Sequence, residues 1–302
     1  MNQLLLTQSQ SSIDAWLRQS APDVEHVGDR SWQLALANGS RVRIAAPVDD
    51  PFLLFDAPAP AVSNLDQTPQ WLLWNATLAG NAKIALVPRP WHLSLRAETP
   101  IDDDGNMPAR IAETVRGLHQ ACQLLAVTLP PSEEAQPART TPVADDSAHY
   151  EASLFALLRE TGWPFQERAN GAATVELALR GEPSRVLLEE NAAGLRAAVE
   201  FLRVDSLAAN SRLAIATLLL SASGTLRLAR SYAVDAEDQF TCGFEVRFAG
   251  ATTAGELEHA LEALAVACWA CKDEVNSLLD NSVAETFMAI RNFPPTFERE
   301  EF

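Results

Sequence analysis

The sequence predicts an α+β protein made of two tandem α-β-β-β-α-β-β-α domains, each an antiparallel sheet packed with helices. Three observations lead there. At 302 residues the chain is long enough for about two domains, each able to bury its own core. A proline-rich stretch divides it near the middle. On either side, short alternating apolar runs come in neighbouring groups flanked by helical stripes, which is the pattern of antiparallel strands and not of a doubly wound parallel sheet.

The divider runs from Pro130 to Ser147 and combines four prolines, many small polar residues and no apolar periodicity. Proline fixes φ and removes a donor, so this stretch reads as an extended tether. The expected organisation is an N-terminal domain over 1–129, a linker over 130–147, a C-terminal domain over 148–290 and a flexible tail over 291–302.

The second unit is the easier to parse. Leu154, Phe155, Leu157 and Leu158 form a helical stripe closed by Gly162 and Pro164. Thr174 to Leu179 alternates as a strand, the Gly181-Glu182-Pro183-Ser184 turn follows, and strands at Arg185–Glu189 and Leu195–Val204 complete a group of three. Asp205 or Ser206 can cap a second helix running to Leu220 and stopping near Gly224. Leu226–Val234 and Phe240–Phe248 read as a second strand pair. A long helix from about Thr253 to Asp280 closes the unit, with Glu256 and Glu258 suited to its positive N-terminal dipole.

The first unit follows the same template. Gln8–Gln19 is a helix carrying Ile13, Trp16 and Leu17, and Trp32–Leu36 and Arg41–Ile44 flank an Asn38-Gly39 hairpin signal. Pro51–Phe55 is a third short strand, and Asn64–Leu78 can form a helix bearing Trp71, Leu72 and Leu73. Lys83–Val87 and Trp91–Arg96 pair as strands, and a helix spans about Pro108–Leu125. The matching order points to a tandem duplication. The closest internal correspondence sets Leu78-Ala-Gly-Asn-Ala-Lys-Ile-Ala-Leu86 against Leu220-Ser-Ala-Ser-Gly-Thr-Leu-Arg-Leu228.

Composition narrows the function. Forty acidic residues against 23 Lys plus Arg give a net charge of −17, which repels polyanions and argues against nucleic acid. The acid is concentrated late in the chain, because residues 151–302 carry −10 of the total. No apolar run reaches the ~18 residues a membrane span needs. Four cysteines do not make a disulfide framework, so a reducing cytoplasm fits.

The α-β-β-β-α-β-β-α order over Tyr150 to Asp280, with Met1 to Leu125 as a fainter copy, resembles the type III secretion chaperone-like fold. The acidic charge and the amphipathic terminal helix belong to the same resemblance. It implies a small cytoplasmic chaperone that holds the extended segment of a secreted effector without ATP, through sheet edges and apolar patches. Members with a single domain are typically homodimers, so two copies in one chain imply an intramolecular pseudo-dimer. The duplication, and the prolines in the first copy's second strand pair, depart from that pattern.

The residues offer no catalytic set. Cys268-Trp269-Ala270-Cys271 has the CxxC spacing, but it falls well inside the last helix and not at its N-terminus, so packing explains it better than redox chemistry. Asp102-Asp103-Asp104 lacks the remaining ligand spacing of a calcium loop and suits a helix start. The five histidines form no metal spacing, and no glycine-rich phosphate loop is present, so no cofactor is implied. Candidate partner-binding residues are apolar: Trp71, Trp74, Trp163, Phe165, Leu218 and Leu219. Core packing is the expectation for most of the tryptophans, and Leu218-Leu219-Leu220 reads as a buried helix segment or, if it lies at the surface, a domain interface. The expected activity is a protein-binding chaperone or adaptor, not an enzyme. Its partner would be a disordered effector segment. The alternative is a structural or regulatory protein that kept the fold and binds a folded partner.

Overall fold

The computed structural model describes residues 10–36, 41–48, 50–61, 65–87, 91–101, 106–128, 153–178, 183–191, 194–236, 239–248 and 252–292. The Asn38-Gly39 hairpin turn, Asp102–Asp104, the tether and the tail from residue 293 lie outside the described residues.

Each half opens with an amphipathic helix that packs on the long helix closing the strands of that half. Helix α1 (Gln10–Ser20) buries Ile13 and Leu17, and α4 (Leu154–Thr161) buries Leu154, Leu157 and Leu158. Ser153 caps α4 by accepting the Ala156 N–H, and Gly162 ends it at φ 72°, a left-handed position that suits glycine. Four strands follow in the first half: β1 (Glu25–Gly28), β2 (Ser31–Ala35), β3 (Arg41–Ala45) and β4 (Phe52–Ala61). Then come α2 (Thr68–Asn75), β5 (Lys83–Val87), β6 (His92–Pro100) and α3 (Met107–Thr128). The second half repeats this with β7 (Phe165–Glu167), β8 (Ala173–Leu177), β9 (Ser184–Asn191), β10 (Gly194–Val204), α5 (Ala209–Ser223), β11 (Arg230–Ala236), β12 (Gln239–Phe248) and α6 (Ala254–Ser277). A further helix, α7 (Asn281–Asn292), has no counterpart among the described residues of the first half.

The two six-stranded antiparallel sheets have the same order, β1-β2-β3-β4-β6-β5 and β7-β8-β9-β10-β12-β11. The topology is therefore duplicated element for element. Four expectations need correction. Each half has four strands before its second helix, not three, because β1 and β7 are three- or four-residue edge strands too short and too polar to show alternation. Helix α5 starts at Ala209 with Ala208 at its N-cap, so neither Asp205 nor Ser206 caps it. The internal correspondence also shifts. In the pairing register Lys83 lies opposite Arg96, and Arg230 lies opposite Glu245. Lys83 therefore matches Arg230, whereas Leu226 and Leu228 belong to the turn before β11, where Leu228 sits at φ 57°.

The terminal helix also breaks earlier than expected, with α6 ending at Ser277 and α7 starting at Asn281. Its start is a capping box, in which Thr253 Oγ1 accepts the Glu256 N–H and the Glu256 carboxylate accepts the Thr253 N–H. Among the described residues, no helix is long and apolar enough to cross a membrane.

The halves meet through their second helices. Helix α2 packs on α5 and on β11, while α5 packs on β5 and α2. Exchanging the two halves maps this set of contacts onto itself, as in an isologous dimer.

Candidate functional site

The sheet row that reaches the seam ends on charged residues in both halves. In the first sheet it runs Arg43, Asp56, Arg96, Lys83 across β3, β4, β6 and β5. In the second it runs Leu187, Ala198, Glu245, Arg230 across β9, β10, β12 and β11. The inner residues of both rows are taken out of water where the halves close.

Lys83 is fully buried and pairs with Glu98 at 2.9 Å, two residues beyond its opposite number on β6. Burial drives the Lys83 ammonium below its ordinary pKa, and Glu98 opposes that shift. The Lys83 ammonium also donates across the seam to the Leu226 carbonyl at 2.6 Å, and the Glu98 carboxylate accepts the Leu228 N–H at 3.3 Å. The ion pair thus satisfies the backbone of the turn in which Leu228 is left-handed.

Arg230 answers from the other side. Its guanidinium donates to Glu245 at 2.7 Å and, across the seam, to the Ala82 carbonyl at 2.7 Å. Lys83 in turn reaches the Ala229 carbonyl at 3.5 Å. Each cation therefore reaches the carbonyl of the residue just before the other one. Gly117 makes room for this: a Cβ there would lie 2.4 Å from the Ala79 carbonyl oxygen, so only glycine lets α3 approach the segment that carries Ala82.

Glu245 is surrounded by three arginines, with Arg230 at 2.7 Å, Arg196 at 2.6 Å and Arg247 at 3.0 Å. Burial alone would raise its pKa, but Arg230, Arg247 and Arg196 outweigh that and hold it below the usual carboxylate value. Arg247 then crosses to the C-terminal end of α2, donating to the Ala76 carbonyl at 2.6 Å. Arg96 makes the reciprocal contact with the Gly224 carbonyl at the end of α5. Cations at helix C-termini satisfy orphan carbonyls and oppose the negative end of the dipole. An ion pair also crosses the seam, joining Arg110 of α3 to Glu256 of α6 at 2.9 Å.

The seam also conceals the inner sheet edges. The Asn75 side chain accepts the Ile84 N–H at 2.7 Å and donates to the Ile84 carbonyl at 3.0 Å. In the second half Ser223 accepts the Ser231 N–H at 2.9 Å. The residue that ends each second helix thus stands in for a missing neighbouring strand, so β5 and β11 are not open for pairing. Among the described residues, β1 and β7 are the terminal strands at the other ends of the two sheets.

The sequence-predicted partner residues divide along this line. Trp71, Leu218 and Leu219 are buried in α2 and α5, where they pack the core and seam, so they cannot meet an outside partner. Trp74 of α2 is half-buried against the same core. Trp163 and Phe165 are half-buried beside the free edge β7, where the Phe165 ring stacks on Phe155 of α4 with centroids 6.1 Å apart. Only these two of the six adjoin an open edge.

Cys268 and Cys271 are both buried, and burial pushes the Cys271 thiol up to about 12 and raises that of Cys268 as well. Thiols held protonated in this way are packing groups, as the sequence suggests. A cavity of ≈ 40 Å³ lies in the seam beside Gly80, Arg110, Arg247, Thr252 and Glu256. It is well below the several hundred Å³ of a substrate site.

Sequence reasoning missed the buried charges altogether. Their one signal is a cation opening an alternating strand, in Lys83-Ile84-Ala85-Leu86 and Arg230-Ser231-Tyr232-Ala233. It also missed Trp269, which lies 59% exposed on α6. No protein-family model matches the chain, and comparisons with curated proteins and with solved structures return no match.

Proposed function

We propose that the chain is an ATP-independent, cytoplasmic protein-binding chaperone or adaptor, of the type III secretion chaperone-like kind, whose two domains form an intramolecular pseudo-dimer. The observation that carries this reading is the reciprocal seam. A unit that repeats its topology and packs on its copy through equivalent elements behaves as a dimer fused into one chain. The seam conceals β5 and β11 and leaves one short edge at each end, β1 and β7, for strand addition by an extended client.

The second half suits a client better. At β7 the partly exposed rings of Phe155, Trp163 and Phe165 adjoin the free edge and offer apolar contact beside the backbone groups. At β1 the edge residues are Glu25, His26, Val27 and Gly28, with an irregular register between His26 and Gly28 that disfavours pairing. The client is the extended segment of a secreted effector. Co-expression with the proteins encoded by neighbouring reading frames, followed by co-purification, tests the reading. Capture of a secreted protein through its disordered segment, lost in Phe165→Asp, is the expected result. Recovery of a folded partner that survives Phe165→Asp would favour an interaction protein that kept only the fold.

A further inference from the structure

Helix α6 carries a second surface that the edges do not use. Its buried side presents Leu257, Leu261, Leu264, Cys268, Cys271 and Val275 to the sheet. On the solvent side Trp269 is 59% exposed and Val266 44% exposed. The other partly or fully described tryptophans are buried or half-buried, so this placement is specific to Trp269.

Trp269 and Val266 lie three residues apart and touch the same surface of the helix. Glu258, Glu262 and Asp273, all exposed, continue the same line. The spacing from Glu258 through Glu262, Val266 and Trp269 to Asp273 is 4, 4, 3, 4, which keeps all five within about 80° of arc at 100° per residue. The stripe is about 22 Å long at 1.5 Å per residue. It is an apolar pair with carboxylates beyond both ends, which is the layout of a small interface with an aromatic anchor and a charged rim. The 4–3 spacing is also that of a helix–helix seam.

We propose that this face docks a basic amphipathic helix of a protein partner, with two apolar residues against Val266 and Trp269 and Lys or Arg against the flanking acids. Charge complementarity selects the occupant, because no base lies on the stripe to welcome an acidic one. The surface is separate from β7, so its success or failure is independent of client binding there.

The test uses the full chain and a synthetic alanine-based helical peptide with two central leucines four residues apart and lysines one turn beyond each. A matched peptide with glutamates in place of the lysines is the control. Titration calorimetry is expected to show binding of the lysine peptide, no binding of the glutamate peptide, and at least about a tenfold loss in Trp269→Ala. A Glu262→Lys/Asp273→Lys double variant is expected to exchange the preference between the two peptides, and Phe165→Asp to leave binding unchanged. Equal affinity in wild type and Trp269→Ala would overturn the proposal, since the peptide would then be held only by the overall negative field. Absence of binding to the wild type would overturn it too.

Discussion

The two halves place a cation at the same point, the first residue of the strand that closes the seam, and neutralise it in different ways. In the first half Lys83 is met by Glu98, which sits one diagonal step along β6. In the second, Arg230 is met by Glu245 directly opposite, and that single carboxylate also serves Arg196 and Arg247. The first arrangement is a simple pair. The second is a four-member cluster in which one acid holds three permanent cations. Both halves supply a cross-seam donor to a backbone carbonyl, and they differ in where the countercharge comes from.

The comparison predicts unequal consequences when the acid is lost. Glu245→Gln leaves three guanidiniums crowded at a buried point, and breaking a buried pair in this way costs about 3–5 kcal/mol. Arginine does not deprotonate in proteins, so raising the pH does not relieve that cost. Chemical denaturation of the variant should show the loss as a lower midpoint at both neutral and alkaline pH. A midpoint within error of the wild type would mean that the cluster contributes nothing to closing the halves.

Glu98→Gln should be milder, because Lys83 can shed its proton. Burial already lowers its folded pKa, and removing Glu98 lowers it further. The unfolded lysine, near 10.4, then binds more protons than the folded one, so stability rises with pH between the two values. The deficit of Glu98→Gln should therefore shrink as pH is raised towards 10, while that of Glu245→Gln stays constant. Parallel deficits across that range would show that Lys83 remains charged and that the two halves do not differ in this respect.

Much of the architecture was legible because it depends on alternation and caps. Trp32–Ala35 and Arg41–Ile44 alternate between buried and more exposed positions, and Thr253 with Glu256 announces the start of α6. The edge strands were not legible, since three residues such as Phe165-Gln166-Glu167 cannot display a period of two. The seam was hidden for a different reason. Lys83 reads as a solvated strand end, and nothing local reveals that a turn 143 residues away presents the Leu226 carbonyl to it. Trp71, Leu218 and Leu219 could be read as core from their apolar character alone; that the helices carrying them pack against the other half could not. Trp269 was readable in principle, because it falls off the stripe formed by Leu261, Leu264, Cys268 and Cys271.

Acid pH approaches the second-half cluster from another direction. Glu245 has a folded pKa depressed by its arginines, so its contribution is complete above its unfolded value, near 4.3, and is lost as pH falls through the folded value. One proton taken up on unfolding changes stability by about 1.4 kcal/mol per pH unit at most. Once the carboxyl is protonated, wild type and Glu245→Gln carry the same local charge. The stability gap between them should therefore narrow below about pH 4.3, and a gap that is constant down to pH 3 would place its origin outside that charge.

The smallest difference concerns how each inner edge is concealed. Asn75 serves both the N–H and the carbonyl of Ile84, whereas Ser223 accepts only the N–H of Ser231 and donates its own proton to the Ser231 hydroxyl at 2.7 Å. Asn75→Ala strands two buried backbone groups, and Ser223→Ala strands one, with the Ser231 hydroxyl free to turn towards another acceptor. A buried group left unpaired costs about 1–3 kcal/mol, so Asn75→Ala should be the more damaging by about 1 kcal/mol. Hydrogen exchange gives the local check. The Ile84 amide should lose protection in Asn75→Ala, and the Ser231 amide should lose it in Ser223→Ala, each without change at the other site. If both amides lose protection together in either variant, the two edges open as one unit, and the seam between the halves, not the side chain beside each strand, sets their stability.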